Sequence, residues 1–244
     1  MISNAEIKRV KALQSKKFRD ESGLFVVEGE KMVAEALESG LQVEAVYRRD
    51  EIGEQAMARI SSLNSPSPVL AVVRQAAAPD IDEIRSFVRS CGRDMLAIAL
   101  DEVRDPGNLG TIIRLADWYG IDAVFCSAGT VELYNPKVVQ STMGAIFCKK
   151  VIYCDLNNIF DIFASNGLPI YGTFLEGEDI YRSELSSGGL IVMGNEANGI
   201  SPELRSRISA KLFIPPYPGN RKTAESLNVA IATAITVSEF RRRR

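Results

Sequence analysis

From residue 95 onward the chain predicts an α/β fold built on a mostly parallel sheet. Three observations carry this. Six short apolar runs recur along 95–215, helical periodicity fills the gaps between them, and helix-starting residues fall at the joins. Runs that are apolar throughout belong to strands covered by helices on both faces, which is the setting of parallel sheets. Segment 1–75 carries three further strand candidates and reads as a small α/β unit of its own.

The first element follows from SNAE at 3–6, where Ser3 and Glu6 form a capping-box pattern ahead of Ile7, Val10 and Leu13 at helical spacing. FVVEG at 25–29 reads as a strand. EKMVAEALESG at 30–40 reads as a helix, with Val33, Ala36 and Leu37 on one face and Gly40 as its stop. VEAVYRR (43–49) and PVLAVVRQ (68–75) are strands with a helix between them. Pro79 and Gly92 interrupt 79–94, which is read as a linker holding one helix. The expected division is therefore 1–78, linker 79–94, and 95–244.

In the second part the strands are MLAIAL (95–100), AVFCSA (123–128), CKKVIYC (148–154), PIYGTFL (169–175), LIVMG (190–194) and KLFIP (211–215). Between them, Asn135-Pro136 and Ser201-Pro202 each place an N-cap before a proline at the first helical position. A further helix is expected over 111–119, and a long one from Ser226.

Composition removes much chemistry. There is no histidine, which excludes Ser-His-Asp triads, Cys-His pairs and nearly all zinc sites. The four cysteines form no CxxC pair, so neither a metal ribbon nor a disulfide framework is expected. No apolar run approaches the ~20 residues of a membrane span, and the N-terminus lacks the apolar core of a secretory signal. A cytoplasmic protein without membrane contact is expected. Net charge is −2, so there is no global field for nucleic acid, only local basic clusters. Lys16, Lys17 and Arg19 near the start and Arg221 and Lys222 in the last long loop are candidates for nucleic-acid phosphate contact, with a solvated surface as the plain alternative. Arg241 to Arg244 form a basic tail.

Ligands of open parallel sheets bind at the carboxyl ends of the strands, so the loops after strands matter most. DPGNLGTIIRLADWYGID at 105–122 sets Asn108 and Arg114 around a turn that enters a helix. Ile112, Leu115, Ala116 and Tyr119 make its buried face, and Arg114 falls on the other side beside Asp117. That pair is either an i,i+3 surface contact worth about 0.2–0.5 kcal/mol or a site. VMGNEANGIS at 192–201 ends an apolar strand at Gly194 and presents Asn195, Glu196 and Asn198; it is neither a GxGxxG nor a P-loop. In the third loop, 214–228, Ser226 and Asn228 stand at the entrance of an almost wholly apolar helix, where one of them caps it or both face a ligand.

Together the three loops resemble the motifs of the SpoU (TrmH-type) family of RNA ribose 2′-O-methyltransferases, within the SPOUT class. NLGTIIR at 108–114 is similar to the family's first motif, MGNEANGIS at 193–201 to its second, and IP followed by SLNVAIA at 226–232 to its third. FVVEGEKMVAEAL at 25–37 resembles the family's N-terminal substrate-binding domain. Two departures stand out: the loop from Pro215 to Ser226 is longer than in the commonest members, and Pro216 replaces their methionine.

The resemblance implies a C-terminal trefoil knot, a homodimer, S-adenosylmethionine as cofactor and no metal. It implies cofactor contacts at Gly194, Ile214 and Leu227, with Ser226 and Thr173 as weaker candidates. Arg114 takes the catalytic role, either as general base or as a clamp on RNA phosphate. Asn108, Glu196 and Asn228 orient Arg114 and the ribose, and Ser226 belongs to either group. The implied substrate is RNA, with 23S ribosomal RNA favoured over transfer RNA because short transfer-RNA members lack the N-terminal module. A transfer-RNA enzyme and a non-catalytic RNA-binding scaffold of the same fold are the alternatives.

Overall fold

The computed structural model of the protein describes residues 2–218 and 225–242. The first stretch runs α1 (Asn4–Ala12), α2 (Lys16–Ser22), β1 (Leu24–Glu28), α3 (Glu30–Glu38), β2 (Val43–Arg48), α4 (Arg49–Ile52), α5 (Glu54–Ile60) and β3 (Val69–Arg74). There follow α6 (Ile81–Cys91), β4 (Leu96–Leu100), α7 (Pro106–Trp118), β5 (Ala123–Cys126), α8 (Pro136–Thr142) and β6 (Val151–Tyr153). The chain ends with α9 (Leu156–Ser165), β7 (Ile170–Phe174), β8 (Glu178–Asp179), β9 (Gly189–Met193), α10 (Pro202–Arg205), β10 (Ala210–Phe213) and α11 (Val229–Arg242). Two compact units emerge, one of residues 1–77 with 132–148 and one of 78–131 with 149–244.

In the first unit β1, β3 and β2 form an antiparallel sheet in that order, with Leu24 opposite Arg74 and a bulge between Val43 and Ala45. Ile7 and Val10 of α1 and Met57 and Ile60 of α5 pack with Leu24, Leu70 and Val72 of the sheet. Segment 132–148 joins this unit by a buried ion pair. Arg19 is only 2% exposed; its Nε and Nη2 reach both carboxylate oxygens of Glu132 at 2.8 and 2.6 Å, and its Nη1 donates to Leu13 O at 2.8 Å. Arg19 therefore is no phosphate contact: each of its three guanidinium nitrogens is engaged inside the unit, and the side chain is buried. Replacing it with alanine strands the Glu132 carboxylate, and a loss of about 3 kcal/mol is expected in a urea titration. Arg19→Lys should not restore the midpoint, because an ammonium cannot make the fork and the Leu13 bond together.

In the second unit seven strands, all parallel, run in the order β6-β5-β4-β9-β7-β10-β8. Ala97 and Ala99 of β4, Phe125, Leu190 and Val192 face α6 and α9 through Ile84, Val88, Ile159, Phe160 and Phe163. Small residues on β4 let those aromatic rings approach the sheet. The alternate β4 residues Leu96, Ile98 and Leu100 are equally buried, on the other face. Segment 79–94 is thus more than a connection: its helix α6 carries the full Asp80–Glu83 capping box and contributes Ile84 and Val88 to this core. No helix among the described residues is long and apolar enough to cross a membrane.

The strand order is what positions a site. β4, β5 and β6 step outward to one side, and β9, β7 and β10 lie on the other. The order reverses between β4 and β9, and a crevice at the carboxyl ends of an open sheet belongs at that reversal. The loops leaving β4 at Asp101 and β9 at Gly194 meet there.

Candidate active site

Helix α7 begins earlier than its apolar periodicity indicates. Pro106 occupies the first helical position, and the Asp105 side chain accepts from Asn108 N at 2.8 Å, so the helix starts at 106 rather than 111. Asn108 consequently lies in the first helical turn. Its buried face is Leu109, Ile112, Ile113 and Ala116, while Leu115 and Tyr119 are only half-buried. Arg114 is exposed, with neither a hydrogen bond nor an ion pair among the described residues. Asp117, the partner that i,i+3 spacing suggests for it, lies instead 3.5 Å from Lys149 Nζ.

Three side chains from three loops form a directed chain. Asn228 Oδ1 accepts from Ala230 N at 2.9 Å and Ile231 N at 3.3 Å, which makes Asn228 the N-cap of α11. Its Nδ2 must then point away from the helix, and it donates to Asn108 Oδ1 at 2.9 Å. That fixes the Asn108 amide in turn, and its Nδ2 donates to Glu196 Oε1 at 2.9 Å. Each amide has only one orientation that satisfies both neighbours.

Glu196 also accepts from the backbone N–H groups of Asp105 at 3.4 Å and Arg104 at 3.3 Å. Partial burial raises its pKa, but the bonds from Asn108, from its own backbone N–H and from Arg104 and Asp105 together outweigh this and hold it below the ordinary carboxylate value. It is an ionised acceptor with its oxygens already engaged.

The hairpin carrying Glu196 is built by a residue whose role the sequence pattern did not single out. Asn195 Oδ1 accepts from Ala197 N and Asn198 N, both at 3.0 Å, and its Nδ2 donates to Glu102 O at 2.7 Å. Glu102 sits in left-handed backbone at φ 57°, an unusual conformation for a non-glycine residue. Asn195 on its carbonyl and Ser127 Oγ on its N–H, at 2.9 Å, hold it there. Asx geometry followed by Asn-Gly was the available signal for Asn195, and Asp before Pro the signal for Asp105.

The remaining candidates divide. Gly194 and Ile214 are half-buried and follow β9 and β10 directly, and Thr173 lies within β7, which runs between those strands. The Thr173 hydroxyl turns back on the sheet, donating to Val192 O at 3.4 Å with Met193 Sδ at 3.5 Å. Leu227 is 50% exposed; Ser226 is exposed and does not cap α11, since Asn228 does. Lys16 and Lys17 are exposed and pair with Asp20 and Glu21 on their own helix. Arg221 and Lys222 lie outside the described residues. The C-terminal arginines are not merely a tail: Arg241 donates to Tyr119 O and Gly120 O at 2.8 and 2.6 Å, capping the end of α7, and Arg242 pairs with Glu239. No group of three His, Cys, Asp or Glu able to hold a metal occurs among the described residues.

Known proteins resemble this chain over nearly its whole length. Residues 95–238 match the SpoU rRNA Methylase family and residues 4–77 the MRM3-like substrate binding domain. The 23S rRNA (guanosine(2553)-2′-O)-methyltransferase RlmP of Bacillus subtilis strain 168 is 32% identical, over 98% of this chain and 96% of its own length. Among solved structures, a TrmH-family protein from Porphyromonas gingivalis is 34% identical with a TM-score of 0.87, covering both chains fully. The S-adenosylmethionine-bound rRNA methyltransferase of Sinorhizobium meliloti is 30% identical with a TM-score of 0.86, over the whole of this chain and 96% of that one. From both ends of its sequence, the chain belongs to the SpoU rRNA methylase family.

Proposed function

We propose that this protein transfers the methyl group of S-adenosylmethionine to a ribose 2′-hydroxyl of structured RNA, with 23S ribosomal RNA as substrate. The observation that carries the reading is the Asn228–Asn108–Glu196 chain, whose Asn108 stands nearly two helical turns before Arg114 on α7, an arginine with no partner among the described residues. The relative from B. subtilis bears the name of a 23S rRNA enzyme, and the matched substrate-binding domain supports ribosomal over transfer RNA.

The cofactor fits the edge formed by β9, β7 and β10. Backbone at Gly194 and Ile214 and the exposed Leu227 would hold it. The segments after these strands are also where the family's trefoil knot belongs. When bound, the sulfonium supplies an electrophilic methyl group, so the protein need only align the hydroxyl and bring RNA to it. Glu196 is a poor base because its oxygens are engaged and its pKa is lowered; it serves to aim Asn108. Arg114 is free to grip an RNA phosphate, with the ribose proton passing to phosphate or water. Trp118, 84% exposed on α7, and Ile231, 52% exposed on the contacting helix α11, support a homodimer through this helix pair.

The test is transfer of labelled methyl to unmodified ribosomal RNA and, separately, to transfer RNA. Label resisting alkaline hydrolysis at one ribosomal nucleotide is expected. Incorporation into transfer RNA alone would replace the substrate, and no cofactor binding at all would leave a scaffold.

Asn228 allows capping to be separated from aiming. Asn228→Ala should lose about 1 kcal/mol of stability together with methyl transfer. Asn228→Asp keeps an acceptor for Ala230 N but has no N–H for Asn108. Its melting temperature should stay near wild type while kcat falls about tenfold or more. A fully active Asn228→Asp enzyme would remove the relay from the mechanism.

A further inference from the structure

The carboxyl ends of β4, β5 and β6 border an open cleft of about 450 Å³, which the methyl-transfer reading does not use. Asp101, Asp155 and Glu203 line it, with Tyr153, Leu156 and Leu204 as the more apolar walls. Asp101 is 6% exposed, and only its Oδ2 is engaged, by Ser201 N at 2.7 Å. Asp155 Oδ1 accepts from Asn157 N at 2.9 Å and Glu203 Oε1 from Asn157 Nδ2 at 3.0 Å. One oxygen of each carboxylate, Asp101 Oδ1, Asp155 Oδ2 and Glu203 Oε2, accepts no hydrogen bond among the described residues, and none of the three forms an ion pair there.

Such a lining repels phosphate and asks for a ligand rich in N–H donors. A metal cage is not its purpose, since the described residues hold no group of three ligands close enough for one. The cleft is large enough for a base, and its leucines and Tyr153 offer surface to the base's faces. Among the four bases only guanine presents two adjacent N–H donors, N1 and N2, along its Watson–Crick edge, a donor pair for the oxygens left unengaged on these carboxylates. The two loops that build the ribose site build this pocket too: 101–108 supplies both Asp101 and Asn108, and 194–203 supplies both Glu196 and Glu203.

We infer that this pocket takes an unstacked guanine of the RNA substrate, read by the carboxylates of Asp101, Asp155 and Glu203. The inference rests on the proposed RNA methyl transfer and adds a base-recognition site to it. A bound guanine would place its neighbouring backbone along the Asn195–Gly199 hairpin toward Asn108, and so set which ribose is methylated.

The test has two arms. Ribosomal RNA transcribed with 6-thioguanosine is irradiated with wild-type protein, and crosslinks are mapped by mass spectrometry. Adducts in 153–157 or 201–204 are expected; crosslinks from 4-thiouridine transcripts there, with none from 6-thioguanosine, would overturn the assignment. In the second arm the double variant Asp155→Asn, Glu203→Gln keeps size and the Asn157 contacts but gives up the charge. Its KM for RNA should rise about tenfold or more while its affinity for S-adenosylmethionine is retained. An active wild type whose double variant shows an unchanged KM refutes the pocket alone. A wild type inert on every RNA refutes the methyl-transfer reading, and the pocket's role with it.

Discussion

Arg114→Ala should lower kcat for RNA methylation about 10³-fold, with S-adenosylmethionine affinity and melting temperature close to wild type. The stability half follows from exposure: Arg114 touches no partner among the described residues, and truncating such a side chain is normally worth less than about 0.5 kcal/mol. The catalytic half follows from its place on α7, two turns from the Asp105 cap and on the helix whose first turn presents Asn108. No described residue is placed to take a proton from its guanidinium, which favours the clamp over the base. A clamp makes a further demand. Loss of one phosphate contact should reduce the slope of log binding constant against log salt by about one, which a base would not do. Arg114→Lys should recover charge without the fork and regain part of the rate. Normal turnover by Arg114→Ala would return the residue to the solvated surface.

What was readable in the sequence, and what was not, divides along local against distant partners. The six main strands of the second unit follow from apolar runs and stop residues, all local signals; four lie within their expected runs, and β9 and β10 each begin one residue before theirs. Helix α8 follows likewise from Asn135 and Pro136. Where a side chain is committed to something far along the chain, spacing misleads. Arg19 belongs to a basic cluster by sequence, yet its partner is Glu132, 113 residues away, and the pair is buried. Asp117 sits three residues from Arg114 and yet turns to Lys149.

The same limit explains the site. Asn108, Glu196 and Asn228 could be proposed one by one as polar residues after strands or at a helix entrance, and the family resemblance grouped them. That Asn228 rather than Ser226 caps α11 decides which amide face meets Asn108, and no periodicity contains that information. Segment 132–148 shows it at the scale of a unit: its helix is visible in sequence, but its grouping with residues 1–77 depends on Glu132 finding Arg19 and on Tyr134, whose ring centroid lies 4.6 Å from that of Phe25. Helix α6 went the other way, from connection to core, because Ile84 and Val88 meet residues of α9 and of the sheet.

Gly194→Ala is the substitution expected to damage both the fold and the proposed cofactor site. A Cβ at this position would lie 2.2 Å from Gly199 C, 2.3 Å from Ile200 N and 2.6 Å from Gly199 O. These are backbone atoms, so no side chain can swing away, and the hairpin held by the Asn195–Gly199 bridge must open. A cost of about 3 kcal/mol is expected, at the upper end for an added methyl group because the clash is with main chain. Opening the hairpin also moves Glu196, releases the Asn195 bond on Glu102 and shifts the backbone at the end of β9, so S-adenosylmethionine affinity should fall at least about tenfold. The neighbouring glycine provides the contrast. A Cβ at Gly199 meets nothing within 4 Å, and only its φ of +68° resists substitution, so Gly199→Ala should cost about 1 kcal/mol. Calorimetric titration of the cofactor against both variants, beside their urea midpoints, reads the difference. Equal losses for the two would mean that close approach is not what fixes glycine at 194, whose φ lies outside the left-handed region.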